Sequence, residues 1–417
     1  MKIKILATSD WHLGNMFHGN DRLSEHEHFL NWLLGQISEQ QPEALLVAGD
    51  VFDNGNPSAA AQSAYYKFLA AATELCPTMQ IVITGGNHDS ANRLEAPRAL
   101  LERQRVEVRG AVHRLWRHTD EGGEWVVNFD DLIIPLAGTK VAVLAVPYLR
   151  SDVVQGTNYS DGVNAFLRAL TARARELYPE HVLVMMAHMY ANGADIAAKD
   201  ASEKIIIGGQ EEVNMEGWTD HPDYLTCGHI HKRQHIRNTT WARYSGSVLP
   251  MSFAEKDYRH GIDLLTITDS KTIAVDFLEY VPQHPLCILP EGDEILTPLK
   301  LKKLINATLD ERKDDRLDDN FMYVVIKVGL EKVNNDDIKE LDELMKTKNA
   351  VLCKYQKIIP NIDLTTISNE ARITSVDDIL NRNPMETLEE AFSLKHGKEL
   401  NERQKLMLNE ILDGINL

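Results

Sequence analysis

Cysteine, basic charge and long apolar stretches are all scarce in this 417-residue chain, and each shortage excludes a class of protein. The four cysteines are widely spaced: Cys76, Cys227, Cys287 and Cys353. They form no CxxC pair, so neither a zinc–thiolate site nor a disulfide framework is expected, and a reducing cytoplasm is the default compartment. The longest apolar runs, at 141–146 and 182–187, are far too short to cross a bilayer, so no membrane association is expected.

The charge balance is acidic: 62 Asp and Glu stand against 44 Lys and Arg, which gives a formal net charge of −18. A protein that grips long DNA by itself usually presents a basic face. Either the partner of this chain is not nucleic acid, or its acidic residues are segregated and another subunit supplies much of the attraction. The hydrophobic content (43%) and charged content (25%) are ordinary for a folded protein of two or three domains.

Five polar clusters each follow a short, β-rich apolar run. They are Asp10-Trp11-His12, Gly49-Asp50, Gly86-Asn87-His88-Asp89, His188 and Gly228-His229-Ile230-His231. Between the first three clusters, amphipathic segments at 24–38 and 58–75 predict helices, so strands alternate with helices. In α/β folds of this kind, ligands bind at the carboxyl ends of the parallel strands. The clusters are therefore expected to converge on one sheet edge.

The first predicted helix, at 24–38, contains two patterns that bear on its surroundings. Ser24, with Glu27 three residues later, is typical of a capping box. His26 and His28 are interpreted as lying on a solvated helix face, in preference to binding a metal.

The pattern changes after a helix predicted at 95–104. Short apolar runs then predict strands at 106–108, 125–129, 132–135 and 140–147, with a hairpin turn at 120–123. These runs indicate a second sheet, more antiparallel than the first. Further strands are expected at 181–187, 224–227 and 261–267, and a helix at 162–178.

Composition shifts again near residue 281, where prolines crowd together. Residues 1–280 are therefore assigned to one domain, 281–360 to a small α+β domain, and 361–417 to a linker and helical hairpin. The two helices of the hairpin are predicted at 385–396 and 401–415. Their apolar faces suit either packing on their own chain, which is the commoner case, or docking to a partner.

The polar clusters supply seven candidate metal ligands: Asp10, His12, Asp50, Asn87, His188, His229 and His231. Imidazoles mixed with oxygen donors suit borderline divalent ions such as Mn²⁺, Fe²⁺ or Zn²⁺. Seven donors are too many for one tetrahedral zinc but fit two ions that share a bridging carboxylate, for which we choose Asp50. Two ions about 3.5–4 Å apart activate water and hold a phosphoryl group for in-line attack. Asn87 would add a ligand without adding negative charge.

His88 follows Asn87 and is interpreted as the catalytic histidine. It would protonate the leaving alkoxide or stabilise charge on the phosphoryl oxygens. Asp89 then either orients His88 or caps the following turn. Four basic residues near the motifs are candidates for phosphate contacts: Arg22, Arg93, Lys232 and Arg233.

The ordered set of clusters resembles the calcineurin-like metallophosphoesterase superfamily. Longer motifs narrow the resemblance to bacterial SbcD nuclease subunits, which are relatives of the double-strand-break repair nuclease. These motifs are TSDWHLG at 8–14, AGDVFD at 48–53, GNHDS at 86–90, CGHIH at 227–231 and YSGSVLPMSF at 244–253. They cover residues 8–253, and beyond about 280 only the layout is similar. Some members of the wider repair family carry histidine where this chain has Asp53, so the role of Asp53 is left open.

The resemblance implies an α/β fold, a four-layer αββα sandwich with a small α+β capping domain and a C-terminal helical tail. It also implies two Mn²⁺ ions. One would be held by Asp10, His12, Asp50 and His231, and the other by Asp50, Asn87, His188 and His229, with His88 catalytic. The implied activity is a DNA exonuclease and endonuclease that processes DNA ends and hairpins in replication, recombination and repair.

The resemblance further implies a partner, an SbcC-like coiled-coil ATPase, to which the tail at 361–417 would dock. That ATPase would share the DNA contacts, which would account for the acidic charge, and two copies of the chain would form a homodimer within a heterotetramer. Two other interpretations are weighed against the nuclease. A metallophosphoesterase for a small phosphomonoester or cyclic nucleotide would need neither the extra domain nor the tail. An inactive scaffold would lack ligands, and no ligand is missing from the motifs.

Overall fold

The computed structural model describes residues 2–119, 122–154, 156–195, 212–215, 218–236, 239–269, 271–292, 294–313, 316–329, 332–358 and 405. Apart from residue 405, the helices predicted at 385–396 and 401–415 lie outside the described residues. Residues 1–328 and 332–356 form one compact unit. The proposed domain limits at 280 and 360 stay a prediction. Within the described residues, no helix has the length and apolar character that a membrane crossing requires.

The strands of the described residues are β1 (Ile3–Thr8), β2 (Met16–Phe17), β3 (Asn20–Asp21), β4 (Ala44–Ala48), β5 (Gln80–Thr84), β6 (Val106–Arg109), β7 (Arg114–Arg117), β8 (Glu124–Val127), β9 (Ile133–Pro135), β10 (Val141–Ala145), β11 (Val182–His188), β12 (Tyr224–Gly228), β13 (Gln234–His235), β14 (Ala242–Tyr244), β15 (His260–Ile267), β16 (Ile273–Tyr280), β17 (Leu286–Leu289), β18 (Met322–Gly329) and β19 (Ala350–Ile358). The α-helices are α1 (Leu23–Gln40), α2 (Ala59–Leu75), α3 (Ala91–Glu95), α4 (Arg98–Leu101), α5 (Tyr159–Leu177), α6 (Pro298–Thr308) and α7 (Asn335–Lys346). Short 3₁₀ helices span Glu102–Gln104, Phe129–Leu132 and Phe253–Glu255.

The first sheet has six strands in the order β16-β15-β1-β4-β5-β6. Strands β1, β4, β5 and β6 are parallel, and β15 and β16 add an antiparallel edge. The central strands are short apolar runs buried on both faces, as strands of a covered parallel sheet are. Their carboxyl ends therefore point to one edge, as the sequence predicted.

The second sheet also has six strands, in the order β13-β14-β12-β11-β10-β9. The prediction that it is more antiparallel was wrong: β10, β11, β12 and β14 are parallel, and only the edge strands β9 and β13 pair antiparallel. The parallel arrangement follows from the connections, because α5 is a helical crossover between β10 and β11. The run at 106–109, expected in this sheet, forms β6 of the first sheet instead.

The two sheets pack face to face through a shared apolar core. It combines residues of β1, β4 and β5 with residues of β10 and β11, such as Ile5, Leu46, Val143 and Met186. Helices α1 and α2 cover the outer face of the first sheet, and α5 covers the outer face of the second. This is the predicted four-layer αββα sandwich, which is confirmed.

Two helix predictions fail at their details. Ser24 is not the N-cap of α1; the helix starts one residue earlier, with Arg22 at the cap position and no side-chain cap. The helix predicted at 95–104 is broken into α3, α4 and a 3₁₀ turn. Pro97 separates α3 from α4 because it has no backbone N–H to continue the helix.

A third sheet, β17-β18-β19, packs with α6 and α7 around its own apolar core. It adjoins the sandwich through Tyr323 of β18, whose ring lies 5.0 Å from that of Phe17. The Tyr323 hydroxyl donates to the Glu25 carboxylate at 3.1 Å, and Glu25 is paired with Arg22 at 2.8 Å. Arg22 and Glu25 are both fully buried, so the hydrogen bond from Tyr323 to this ion pair joins β18 to α1 in a region without solvent.

Candidate metal centre

All seven candidate ligands and His88 lie together where the two sheets meet. Residues after β1, β4 and β5 supply Asp10, His12, Asp50, Asn87 and His88 from the first sheet, whereas β11 and the turn after β12 supply His188, His229 and His231 from the second. Three groups have their ligand atoms within 4.8 Å of one another: Asp10, His12 and His231; Asp10, Asp50 and His188; and His12, Asp50 and His88. The convergence that parallel strands predict is therefore present.

The backbone at these positions is unusual. Asp10, His12, Asp50 and His229 all have positive φ, at 51°, 47°, 47° and 95°. Residues other than glycine rarely adopt a positive φ. Such strained backbone is found mainly at functional sites, where the surrounding structure enforces it. These residues lie within one to four residues of the end of a strand, where the unusual backbone helps to set the direction of each side chain.

Glycines allow the loops of the two sheets to approach each other. A β-carbon at Gly86 would collide with the Asp50 carboxylate, one at Gly49 with the His188 ring, and one at Gly228 with the Ala48 carbonyl. The glycines that precede Asp50, Asn87 and His229 in the motifs are therefore required because any larger residue would clash with a neighbouring group.

His188 and Asp50 form the contact that joins the two sheets. The Nε2 of His188 lies 3.2 Å from Oδ2 of Asp50, and its Nδ1 lies 3.0 Å from the carbonyl of Ala48. Burial alone would raise the pKa of Asp50, but the neighbouring imidazoles of His188 and His12 hold it well below its usual range. Burial would lower the pKa of His188, but the Asp50 carboxylate outweighs it and raises that pKa to about 9. Without a metal, His188 is therefore protonated and forms an ion pair with Asp50.

The residues present fit a divalent metal. Both ring nitrogens of His12 are buried and have no hydrogen-bond partner, although Nε2 lies 3.7 Å from Asp50 and Nδ1 lies 3.4 Å from Asp53. A buried imidazole without a hydrogen bond is costly unless an ion satisfies it. Asn87 points its Oδ1 at His188 (2.9 Å) and His229 (3.1 Å), so it occupies the ligand cluster as predicted.

Two carboxylates lie beside the imidazoles: Glu255, which the sequence analysis did not identify, and Asp53, whose role it left open. Glu255, fully buried, lies 3.0 Å from Nδ1 of His231 and also accepts the backbone N–H of Met251 at 2.8 Å. Asp53 faces Nδ1 of His12 and accepts the side-chain amide of Asn15 at 2.9 Å. Such carboxylates fix the tautomer and orientation of metal-binding histidines. Glu255 lies two residues past the 244–253 motif, which is the only sequence signal for it.

His88 is held by a backbone group and not by Asp89. Its Nδ1 lies 2.8 Å from the carbonyl of Asp53, and its ring lies 4.8 Å from that of His12. Its backbone N–H donates to Oδ1 of Asp50 at 2.9 Å. The proposal that Asp89 orients His88 was therefore wrong.

Asp89 instead organises the loop that carries Asp50. Its carboxylate accepts the backbone N–H groups of Val51, Phe52 and Gly86 at 2.9–3.1 Å. Burial and the nearby Asp50 carboxylate raise the pKa of Asp89 to about 6. The same low-dielectric surroundings, together with His188, lower the pKa of His229 to about 3, so this imidazole is neutral and available as a ligand.

His26 and two of the basic candidates need correction. His26 is buried, not solvated, and burial and the nearby Arg22 lower its pKa to about 3. Arg22 cannot contact phosphate, because it is fully buried against Glu25 and the Pro250 carbonyl. Arg233 pairs with the buried Asp263 at 2.6 Å.

The other two basic candidates lie nearer the surface. Lys232 is paired with Asp195, so an acidic side chain already neutralises its charge. Arg93 is exposed and donates to the neutral amide oxygen of Asn56 at 3.0 Å. A phosphate contact by Arg93 stays a prediction.

Comparison with known proteins gives consistent matches. The family model described as calcineurin-like phosphoesterase matches residues 3–233. The chain is 34% identical to the SbcD subunit of the SbcCD nuclease of Rhodobacter capsulatus, over 78% of this chain and 80% of that protein. It is 31% identical to the SbcD subunit of the SbcCD nuclease of Escherichia coli K12, over 70% of this chain and 71% of that protein.

Proposed function

The chain belongs to the calcineurin-like phosphoesterase family and, within it, to the SbcD nuclease subunits, and we propose that it is a Mn²⁺-dependent DNA exonuclease and endonuclease. It is a hydrolase that acts on phosphodiester bonds. We propose that its substrates are double-stranded ends, hairpins and single-stranded DNA, processed in replication, recombination and repair.

The observation that carries the proposal is the joining of two donor sets at one edge. Carboxylate and amide oxygens come from the first sheet and imidazoles mainly from the second, and three groups of these residues have their ligand atoms within 4.8 Å. In our assignment one ion is held by Asp10, His12, Asp50 and His231, and the other by Asp50, Asn87, His188 and His229. Two divalent ions in such a site would supply Lewis acidity that activates water and neutralises phosphoryl charge.

The choice of Mn²⁺ rests on the donor mixture. Four imidazoles with two carboxylates and one amide suit a borderline divalent ion better than a hard one such as Mg²⁺ or Ca²⁺. The closed Cys₂His₂ or Cys₄ sets typical of structural zinc are not formed by these residues. Neutral Asn87 limits the negative charge that an incoming phosphodiester meets.

The protein residues have distinct tasks in this scheme. His88, fixed through Nδ1 by the Asp53 carbonyl, presents Nε2 as the proton donor for the leaving oxygen. Glu255 and Asp53 orient His231 and His12. Asp89 holds the Asp50 loop by its three backbone hydrogen bonds, so that Asp50 can bridge.

We also propose a complex with an SbcC-like coiled-coil ATPase. The relatives matched above are named as SbcD subunits of the SbcCD nuclease. The net charge of −18 supports a shared DNA grip, because a partner would supply positive surface that this chain lacks in bulk. In this proposal residues 281–360 form a capping domain, 361–417 dock the ATPase, and two copies of the chain form a homodimer within a heterotetramer.

The test is cleavage of an end-labelled DNA hairpin by the purified full chain, with and without its ATPase, in Mn²⁺ or EDTA. We expect cleavage that requires Mn²⁺ and Asp50, and stimulation by the ATPase. An Asp50→Ala variant serves as the inactive control. Hydrolysis of bis(p-nitrophenyl) phosphate without cleavage of any DNA would overturn the nuclease proposal and favour a small-substrate phosphoesterase. Inactivity towards both substrates, with no Mn²⁺ bound, would favour an inactive scaffold.

A further inference from the structure

The strands β7 and β8 form a two-stranded ribbon that stands apart from the three larger sheets. They pair only with each other, with Trp116 opposite Trp125. Every side chain of β7 is exposed, and Trp116 and Trp125 are 46% and 64% exposed. An isolated two-stranded ribbon is only marginally stable. Large aromatic side chains are normally buried, because removing their apolar surface from water is favourable. Two exposed tryptophans on such a ribbon call for a ligand that covers them.

The two indole rings share one face of the ribbon. Residues directly opposite in an antiparallel pair point to the same side, and the ring centroids are 5.5 Å apart at 67°. A β-carbon at Gly123 would clash with the Trp116 ring, so this ring packs closely against the glycine. The two indoles are in contact with each other, yet both remain substantially exposed.

The segment that contains β7 is basic, whereas the segment that follows carries Asp120, Glu121 and Glu124. Residues 113–118 read HRLWRH, with two arginines, two histidines and no acidic residue, and all six are exposed. Arg114 lies on the indole face, two positions from Trp116. Arg117, on the opposite face, pairs with Glu124 across the ribbon. Aromatic faces next to arginine match nucleic-acid bases joined by phosphates.

A groove runs beside this ribbon. A cavity of about 560 Å³ separates the ribbon from α5, and its lining includes Arg114, Trp125, Val127, Val154, Ala165 and Phe166. Val154 belongs to the segment that follows β10, and Tyr148 lies earlier in the same segment. The Tyr148 ring lies 6.2 Å from that of His188, and its N–H donates to the Gly85 carbonyl at 2.8 Å. One segment therefore contacts a candidate ligand and, six residues later, lines the groove.

The ribbon is joined to the first sheet by a short segment. Strand β6 is parallel to β5, and the N–H of Gly85 donates to the Arg109 carbonyl at 3.0 Å. Strand β7 begins four residues after Gly110, whose carbonyl lies against Gly85. His113, just before β7, is tied to Glu95 at 2.8 Å. The ribbon and the segment after β10 are thus both connected to Gly85, two residues before Asn87.

We infer that the ribbon and groove bind single-stranded nucleic acid as it leaves the metal centre, with bases stacked on Trp125 and Trp116 and phosphate near Arg114. The inference rests on the proposed nuclease function, because a nuclease would produce or hold the single-stranded nucleic acid. The ribbon would hold the single-stranded product or the unpaired end of a substrate. A duplex keeps its bases stacked inside the helix and offers the indoles no face, so the surface selects single strands.

The test is fluorescence anisotropy of a labelled 20-nucleotide oligo-dT with the full chain in EDTA, where nothing is cleaved. We expect Trp125→Ala and Trp125→Leu to weaken binding about tenfold, and Trp125→Phe to restore most of the affinity, because only an aromatic ring stacks. Arg114→Gln, which leaves the ribbon pairing intact, should lower the slope of log affinity against log salt by about 0.7. Leu100→Ala, at another exposed apolar residue, is the control and should change nothing.

Three results would overturn the inference. Unchanged oligo-dT affinity in Trp125→Ala would show that the ribbon is not used. Equal affinity in Trp125→Leu and Trp125→Phe would indicate apolar docking and not stacking. A change in oligomeric state of Trp125→Ala by analytical ultracentrifugation, with unchanged oligo-dT binding, would assign the ribbon to an interface between copies of the chain.

Failure of the proposed function is distinguishable from failure of this inference. The ribbon variants should hydrolyse bis(p-nitrophenyl) phosphate in Mn²⁺ at the rate of the unmodified chain, because this substrate is too small to reach the ribbon. If the unmodified chain cleaves DNA and the variants bind oligo-dT normally, only the inference fails. If the unmodified chain hydrolyses neither substrate, the nuclease proposal fails, and oligo-dT binding still reports on the ribbon.

Discussion

The two sheets of the sandwich contribute different chemistry to the same edge. The first sheet delivers all the oxygen donors, Asp10, Asp50 and Asn87, and the second delivers three of the four candidate imidazole ligands. In the first sheet, positive-φ turns follow the strands and the carboxylates are held by backbone N–H groups. In the second, His188 is itself the last residue of its strand. Neither sheet alone holds enough donors for two ions.

Because the donors are divided between the two sheets, the site forms only when the sheets pack against each other. Asp50, Asn87 and Asp10 of the first sheet all contact residues of the second, at 3.2 Å and 2.9 Å to His188 and 2.9 Å to the backbone N–H of His229. The supporting carboxylates are divided in the same way: Asp53 serves His12 of the first sheet, and Glu255 serves His231 of the second. Substitutions at these positions can therefore separate the two contributions.

The largest effect is expected from breaking the contact between the sheets at Asp50. Asp50→Asn removes the bridging charge, so phosphodiester hydrolysis should fall by about 10³-fold or more, since the metals supply several kcal/mol of transition-state stabilisation. Hydrolysis of bis(p-nitrophenyl) phosphate and Mn²⁺ stoichiometry by calorimetry measure it. Asp130→Asn, at an exposed carboxylate paired with Arg173, is the matched control. Retention of a tenth of the activity would remove Asp50 from the bridging role.

The next largest effect should leave both donor sets intact. His88→Ala removes the proposed acid, so cleavage should fall by about 10²–10⁴-fold while two Mn²⁺ ions still bind. Loss should be greater for DNA, whose leaving alkoxide needs a proton, than for bis(p-nitrophenyl) phosphate, whose leaving group does not. Equal loss on both substrates would argue against the proton-donor role.

A smaller effect should distinguish the two supporting carboxylates. Glu255→Gln weakens the orientation of His231, and Asp53→Asn that of His12, so each should reduce Mn²⁺ affinity by about 10–100-fold. Glu255→Gln should have the larger effect, because Glu255 is fully buried whereas the Asp53 side chain is 27% exposed. Titration of activity against Mn²⁺ concentration measures both. A kcat change without a shift in Mn²⁺ dependence would contradict the orienting role.

The smallest effect concerns the metal-free protein. The pKa of His188 is raised from 6.5 to about 9, so its protonated form stabilises the folded state fully below pH 6.5 and this contribution is lost as pH rises through 9. Urea unfolding in EDTA should lose at most about 1.4 kcal/mol per pH unit across this window. His188→Gln should flatten the profile. With Mn²⁺ bound the dependence should reverse, because the ligand must be deprotonated.

Much of the fold followed from local patterns. Apolar runs such as 44–48 and 80–84 are too short and too apolar for anything but buried strands, and each was followed by its polar cluster. The convergence of Asp10, Asp50 and Asn87 then required only the rule that parallel strands end at one edge. The second sheet was wrongly predicted to be more antiparallel because short strands separated by turns suggest hairpins. The helix α5 instead provides a long crossover, which makes β10 and β11 parallel.

What the sequence could not show depends on contacts between distant segments. Glu255 is 24 residues from His231, and no periodicity links them. The burial of His26 could not be predicted from its helix position. It follows from the structure, in which Arg22 and Glu25 are also buried and Tyr323 of a distant strand donates to Glu25. A hairpin turn at 120–123 and a strand at 125–129 were predicted, but β7 was not, and the exposure of the tryptophans follows only from the isolation of the ribbon from the other sheets.

The central place of β1 in the first sheet has a consequence for synthesis. This strand is made before the other strands of its sheet, yet it lies between β4 and β15, and β15 ends at Ile267. A chain emerging from the ribosome therefore keeps one edge of β1 open until most of the sandwich exists. The ligand set spans residues 10 to 231, so no nascent fragment that stops before 231 holds it complete. In the proposed function, the nuclease would therefore have no complete metal site while its sandwich is still being translated.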